Sequence, residues 1–164
     1  MDYSSLQGGL RRMLDRLTKE GTATKDREVD QFLRDNANAV VLGLLYDQRV
    51  LAETAFTGPY KLYQRLGHLD MRKIAEMDRE AFFEVFTEVP AVHRFTNTMV
   101  DRTQQVAQIL ADEYEGDAAN LWAGDVDLQT VEKRLQKLPG FGPMKATKAG
   151  YVCHYFGHRT FGDE

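Results

Sequence analysis

Cysteine is almost absent from this chain of 164 residues, and its scarcity excludes a good deal. With Cys153 alone there can be no internal disulfide and no iron-sulfur cluster held by four thiolates, and no His or Cys pair has zinc spacing. Cys153 falls within the apolar pattern of the last helix, where a buried, inert thiol is expected. His154 and His158 share one helical face, but two ligands with no third nearby do not make a metal site, and both read as solvated or capping histidines. Long apolar runs are missing too, so no segment has the length of a membrane helix. The opening residues, Met1 to Ser5, lack the basic-then-apolar pattern of a secretory signal, and a cytoplasmic protein is expected. Convincing strand alternation, internal repeats and low-complexity tracts are also lacking.

What is present is the composition of an ordinary globular domain, 43% hydrophobic and 28% charged, in a length that suits one domain spanning residues 1 to 164. Almost every periodic segment has helical spacing. Leu6, Leu10, Met13, Leu14 and Leu17 define an N-terminal helix closed by Gly21, within residues 1 to 21. Val29, Phe32 and Leu33 mark a short second helix. The dense apolar run from Ala39 to Leu45 suits a helix buried on all sides at the centre of the core. Gly58-Pro59 is expected to open the next helix, Tyr60 to Leu66, with proline at a permitted first-turn position. Asp70 and Asp78 read as N-caps for helices Met71 to Glu76 and Arg79 to Thr87, the second burying Phe82, Phe83 and Phe86. Phe95 to Tyr114 is the longest periodic stretch. The expected fold is all-α, a compact bundle of about eight to ten short helices.

The most informative segment is Leu138-Pro139-Gly140-Phe141-Gly142-Pro143-Met144-Lys145. A helix from Leu128 to Leu138 precedes it, presenting Val131, Leu135 and Leu138 on one face, and a second helix follows at once, so that residues 128 to 156 form a helix-hairpin-helix. Gly140 and Gly142 permit a tight turn and let another backbone come close. The first amides of the second helix lack intrahelical partners and carry the positive end of its dipole, which binds an anion such as phosphate readily. The net charge of −4 argues against a nucleic-acid partner, but its distribution does not. Residues 132 to 160 carry Lys133, Arg134, Lys137, Lys145, Lys148 and Arg159 against Glu132 alone, a net +5 in a chain whose remainder is −9. Such an island is also what a solvated helix face would show.

With the segment Leu45-Tyr46-Asp47-Gln48-Arg49 some ninety residues upstream, this hairpin resembles that of the helix-hairpin-helix DNA glycosylase superfamily, the endonuclease III-like proteins of base excision repair. The resemblance covers roughly residues 28 to 163. It implies an all-α enzyme that binds double-stranded DNA as a monomer, extrudes a damaged or mispaired base and cleaves its glycosidic bond, here without the iron-sulfur cluster of many relatives. By position, the amides around Gly140, Gly142, Met144 and Lys145 would anchor phosphate. The backbone carbonyls of Gln136, Leu138 and Phe141 would hold a monovalent cation, potassium or sodium. Gln48 would be the wedge filling the gap left by the extruded base; a plain surface glutamine is the competing reading. Pro90 to Arg94 is either a second minor-groove loop, with His93 or Arg94 reaching DNA, or a simple helix N-terminus.

The family's catalytic carboxylate corresponds to Asp163, twenty-one residues beyond Gly142 and next to the last residue, where an acidic tail is the alternative. Relatives with lyase activity carry a lysine two residues after the second glycine; here that position is Met144. Lys145 comes one residue later, about 100° around the helix, so water rather than an amine is the expected nucleophile. Tyr46, Phe56, Tyr60 and Trp122 are aromatic candidates to stack on a base, with core packing the alternative for each. Outside this class stand a non-catalytic helix-hairpin-helix DNA-binding protein and a helical protein-interaction domain in which the hairpin is only a turn.

Overall fold

A computed structural model of the chain describes residues 1 to 162. Among them are nine α-helices and no strand: α1 Gly8–Glu20, α2 Arg27–Asp35, α3 Ala37–Tyr46, α4 Ala52–Leu66, α5 Met71–Glu76, α6 Arg79–Thr87, α7 Thr96–Glu113, α8 Leu128–Gln136 and α9 Pro143–Tyr155, with a 3-10 turn at Ala118–Leu121 before α8. Four of the helices, α2, α5, α6 and α8, begin where an aspartate supplies an acceptor for otherwise orphaned amides. Asp26 accepts from the amides of Glu28 and Val29, Asp70 from Lys73, Asp78 from Ala81 and Asp127 from Thr130. Each cap contributes about 1 kcal/mol.

The core is built around α3. Every residue from Ala39 to Tyr46 is buried, so this helix has no polar face and must be enclosed by its neighbours α2, α4, α7 and α9. Each fully buried Leu or Val stabilises the fold by about 1.5–3 kcal/mol. Two glycines let α3 and α4 approach closely. A Cβ on Gly43 would collide with the Phe56 ring, and one on Gly58 would lie 2.8 Å from Cδ2 of Tyr46.

That close packing corrects the expected start of α4. The helix does not open at Gly58-Pro59 but at Ala52, and Pro59 sits inside it. Ala52, Ala55 and Phe56 bury a continuous face against the core, and this outweighs the hydrogen bond that proline removes. Gly58 is there to admit Tyr46 rather than to begin a helix. Two smaller differences accompany it. Phe83 is only half buried, lying near the Arg79 guanidinium, and α8 ends at Gln136, with Leu138 already in the turn that leads to α9. No helix among the described residues is long and apolar enough to cross a membrane.

Candidate nucleic-acid interface

The hairpin between α8 and α9 is anchored from below and open above. Leu135, Leu138 and Phe141 are buried, and the turn is closed by the amide of Leu138 donating to Leu135 and that of Phe141 to Leu138. The two glycines do different work. Gly140 has φ +87°, and a Cβ there would meet Leu45 at 2.7 Å and the Arg102 side chain at 2.9 Å. Gly142, at φ −95°, is not left-handed and needs no glycine for its conformation; instead the space where its Cβ would stand is empty. It caps α9 without any side-chain partner, Pro143 has no amide, and the first helical bond is from Ala146 to the Gly142 carbonyl. The amides of Gly142, Met144 and Lys145 thus stand at the uncapped positive end of α9. Met144 is 78% exposed beside them.

Lys145 turns the opposite way, into the protein. Its Nζ donates to the carbonyl of Leu45 at 2.7 Å and to Oε1 of Gln48 at 3.3 Å. Arg102, from α7, donates through Nη1 to the same Gln48 oxygen at 3.1 Å. Next to it Lys148 pairs with Asp47 at 3.3 Å, its partner's side chain only 10% exposed. Burial and the nearby cations Arg102 and Lys148 lower the Lys145 pKa to about 8, although Asp47 opposes them. Gln48, half buried at the end of α3, is therefore the point where α3, α7 and α9 meet under the hairpin. Arg102 was not a candidate in the sequence, and no local pattern marks it: its partner lies 54 residues away.

The basic island resolves differently from its linear pattern. Arg134 donates to the Leu121 carbonyl, and Arg159 to those of Trp122, Gly124 and Val126, so both hold the chain together. The cations near Gln48 instead come from several parts of the chain. Arg102, Lys145 and Lys148 lie inside the cluster, and exposed Arg49 and Arg94 flank an adjoining cleft of about 690 Å³ with Leu51 and Val92 in its wall.

His93 is corrected as a residue reaching DNA. It is 3% exposed, its Nδ1 accepts from the amide of Phe95 and its Nε2 donates to the carbonyl of Tyr46. Burial depresses its pKa, and the ring stays neutral as a strut beneath the loop. Arg94 is the exposed side chain of that pair. Tyr46, Phe56 and Trp122 are also buried, and the Tyr46 hydroxyl is bonded to that of Thr103, so core packing accounts for all three. Tyr60 is partly exposed, donates to Glu28 and packs edge-on to Phe32. Cys153 is buried, its thiol pushed up to about 12. His154 bonds Thr160 and His158 the carbonyl of Leu33, so the two rings serve different partners. Asp163, the expected catalytic carboxylate, lies outside the described residues.

No model of a known protein family matches this chain, and no curated protein matches it. What the geometry offers chemically is a set of uncapped helix amides with open space beside Gly142, adjoining a glutamine held by two cations.

Proposed function

We propose that this protein is a DNA N-glycosylase of base excision repair, built on a helix-hairpin-helix and acting on double-stranded DNA that carries a damaged or mispaired base. The observation that carries the reading is the open, uncapped N-terminus of α9 beside Gln48. The amides of Gly142, Met144 and Lys145 hold a backbone phosphate without reading sequence. The carbonyls of Gln136, Leu138 and Phe141 would hold a potassium or sodium ion that supports the turn. Leu138 spends one lone pair on the Phe141 amide and keeps the other. With the backbone gripped, Gln48 enters the stack as the base leaves it, offsetting part of the unstacking cost.

Chemistry then needs only a carboxylate and water. The bond from C1′ to the base nitrogen breaks with its electron pair leaving on the base, Asp163 stabilises the sugar cation, and water adds to C1′ while passing a proton to the carboxylate. Monofunctional action fits the lysine geometry. Met144 faces outward where lyases carry their amine, and the Lys145 amine is committed to Leu45 and Gln48 inside the protein.

The test is a single-turnover assay on duplex oligonucleotides bearing a panel of lesions, developed with and without alkali, with Asp163→Asn in parallel. Strand breaks that require alkali and vanish in the variant are expected. Duplex binding without product on any lesion would leave a non-catalytic DNA-binding protein. No binding even at low salt would leave a helical protein-interaction domain.

A further inference from the structure

An aromatic cluster stands at the surface where α2 meets α4. Phe32 lies edge-on to Tyr60, ring centroids 5.3 Å apart, and 4.9 Å from the ring of Tyr63, which is 41% exposed. Single exposed aromatics are ordinary, but contiguous rings with polar edges are what docking surfaces are made of. Tyr60 carries the cluster into a cleft of about 710 Å³ between α2, α4 and the loop after α6, with Val29, Val85 and Val89 in its wall. Val89 is 90% exposed, and Arg65 fixes the loop that presents it by donating to the carbonyls of Val85, Phe86 and Pro90. This cleft shares no residue with the one flanked by Arg49 and Arg94.

Charge and hydrogen bonding say what would fill it. The rim carries the exposed carboxylates Asp26, Glu28 and Glu88, of which only Glu88 pairs with a cation, Arg65 at 3.2 Å. Such a rim attracts a cation and repels an anion. Lys61, less exposed than these, has no ion-pair partner among the described residues and makes one long bond, 3.4 Å, to the carbonyl of Ala91. Burial and Arg65 lower its pKa, with no carboxylate opposing them. An ammonium has three donors, so Lys61 is left to serve neutral acceptors. A helical ligand has its carbonyls paired internally. A polyproline II segment leaves them free, and its rings pack on aromatic faces. We propose that this face binds an extended, basic, proline-rich segment of a partner protein, with proline rings on Tyr60 and Tyr63, a backbone carbonyl on Nζ of Lys61, and an arginine or lysine against Asp26 and Glu28. The inference does not depend on the glycosylase reading.

The experiment titrates the full chain with an array of synthetic peptides of the form Arg-x-x-Pro-x-x-Pro and its reverse, x varied over apolar residues. Calorimetry and backbone amide NMR shifts are read at about 0.15 M salt, where bare charge attraction is screened beyond roughly 8 Å. Controls replace arginine by glutamate, replace the prolines by alanine, or present the same charge on an amphipathic helix. Saturable binding of at least one arginine probe is expected, with shifts confined to α2, α4 and the loop after α6. Tyr63→Ala should weaken it about fivefold or more, and Glu28→Gln about twofold to fivefold. Lys61→Met should cost about twofold to tenfold, the loss of one hydrogen bond. All three side chains reach solvent, so thermal unfolding should hold, and duplex DNA affinity should be unaltered in each variant. Absence of saturable binding across the array, alanine or helical controls that bind as tightly, or affinity that none of the three substitutions lowers would each overturn the inference. Concentration-dependent dimerisation abolished by Tyr63→Ala would also overturn it and give the face to a second copy of the chain.

Discussion

Lys145 carries a charge that its surroundings only partly accommodate. Its pKa falls from an ordinary 10.5 to about 8 because burial and the facing cations Arg102 and Lys148 outweigh Asp47, while neighbouring His93 is neutral. Below pH 8 the lysine is charged in both folded and unfolded chains, and the cost of burying it is fully present. Between pH 8 and 10.5 the folded protein releases the proton first, so stability should rise with pH across that window. Solvent reaches the group, so the gain is expected to be about 1–2 kcal/mol rather than the full value of the shift. Urea unfolding of wild type and Lys145→Met at pH 7, 9 and 10.5 isolates it; a pH trend identical in the two proteins would refute it. At this scale the sequence reveals residue types and hides their directions. Lys145 and Met144 are adjacent, yet one turns inward and the other stands in solvent, and His93 sits in a loop but is a buried strut.

Between elements, the contact of α3 with α4 depends on two absent methyl groups. Gly43 faces the Phe56 ring and Gly58 the Tyr46 ring, and both rings are fully buried. Alanine at either position gains up to about 1 kcal/mol of helix propensity, but overpacking against a fixed ring costs about 1–3 kcal/mol or more. Gly43→Ala and Gly58→Ala are therefore expected to lower the unfolding free energy by about 1–2 kcal/mol. Gly9→Ala, in α1, meets its neighbours at an ordinary 3.4 Å or more and should be neutral or slightly stabilising. Equal effects at all three sites in chemical denaturation would show that packing does not set the difference. The same contact explains which helices were legible beforehand. Helices α5 and α6 follow from Asp70 and Asp78 because caps are local. The start of α4 does not, because Gly58-Pro59 has the local form of a helix opening and only the approach of Tyr46 from another helix assigns Gly58 its role.

Over the whole molecule, net charge and the proposed binding surface pull in opposite directions. A chain of charge −4 repels DNA at long range, so under the proposed function affinity would come from short-range contacts at the hairpin and the cations around Gln48. The hairpin was visible in the sequence because glycine and proline mark a turn locally. The cluster beneath it was not, since Gln48 meets Arg102 across 54 residues and Lys145 across 97. Gly142→Asp tests the hairpin without disturbing the fold. Its backbone, φ −95° and ψ −176°, is the extended conformation of an ordinary N-cap, the space for a side chain is empty, and aspartate is among the best residues at that position. Thermal stability should hold or rise by a few tenths of a kcal/mol, roughly the difference between Gly and Asp caps. A carboxylate would then occupy the amides that a phosphate must reach, and duplex affinity should fall about tenfold or more, with the slope of log K against log salt reduced by about one phosphate contact. A stable variant with unaltered affinity and slope would show that DNA, if bound, is held elsewhere; loss of affinity in a fully folded variant would locate the anchor at α9.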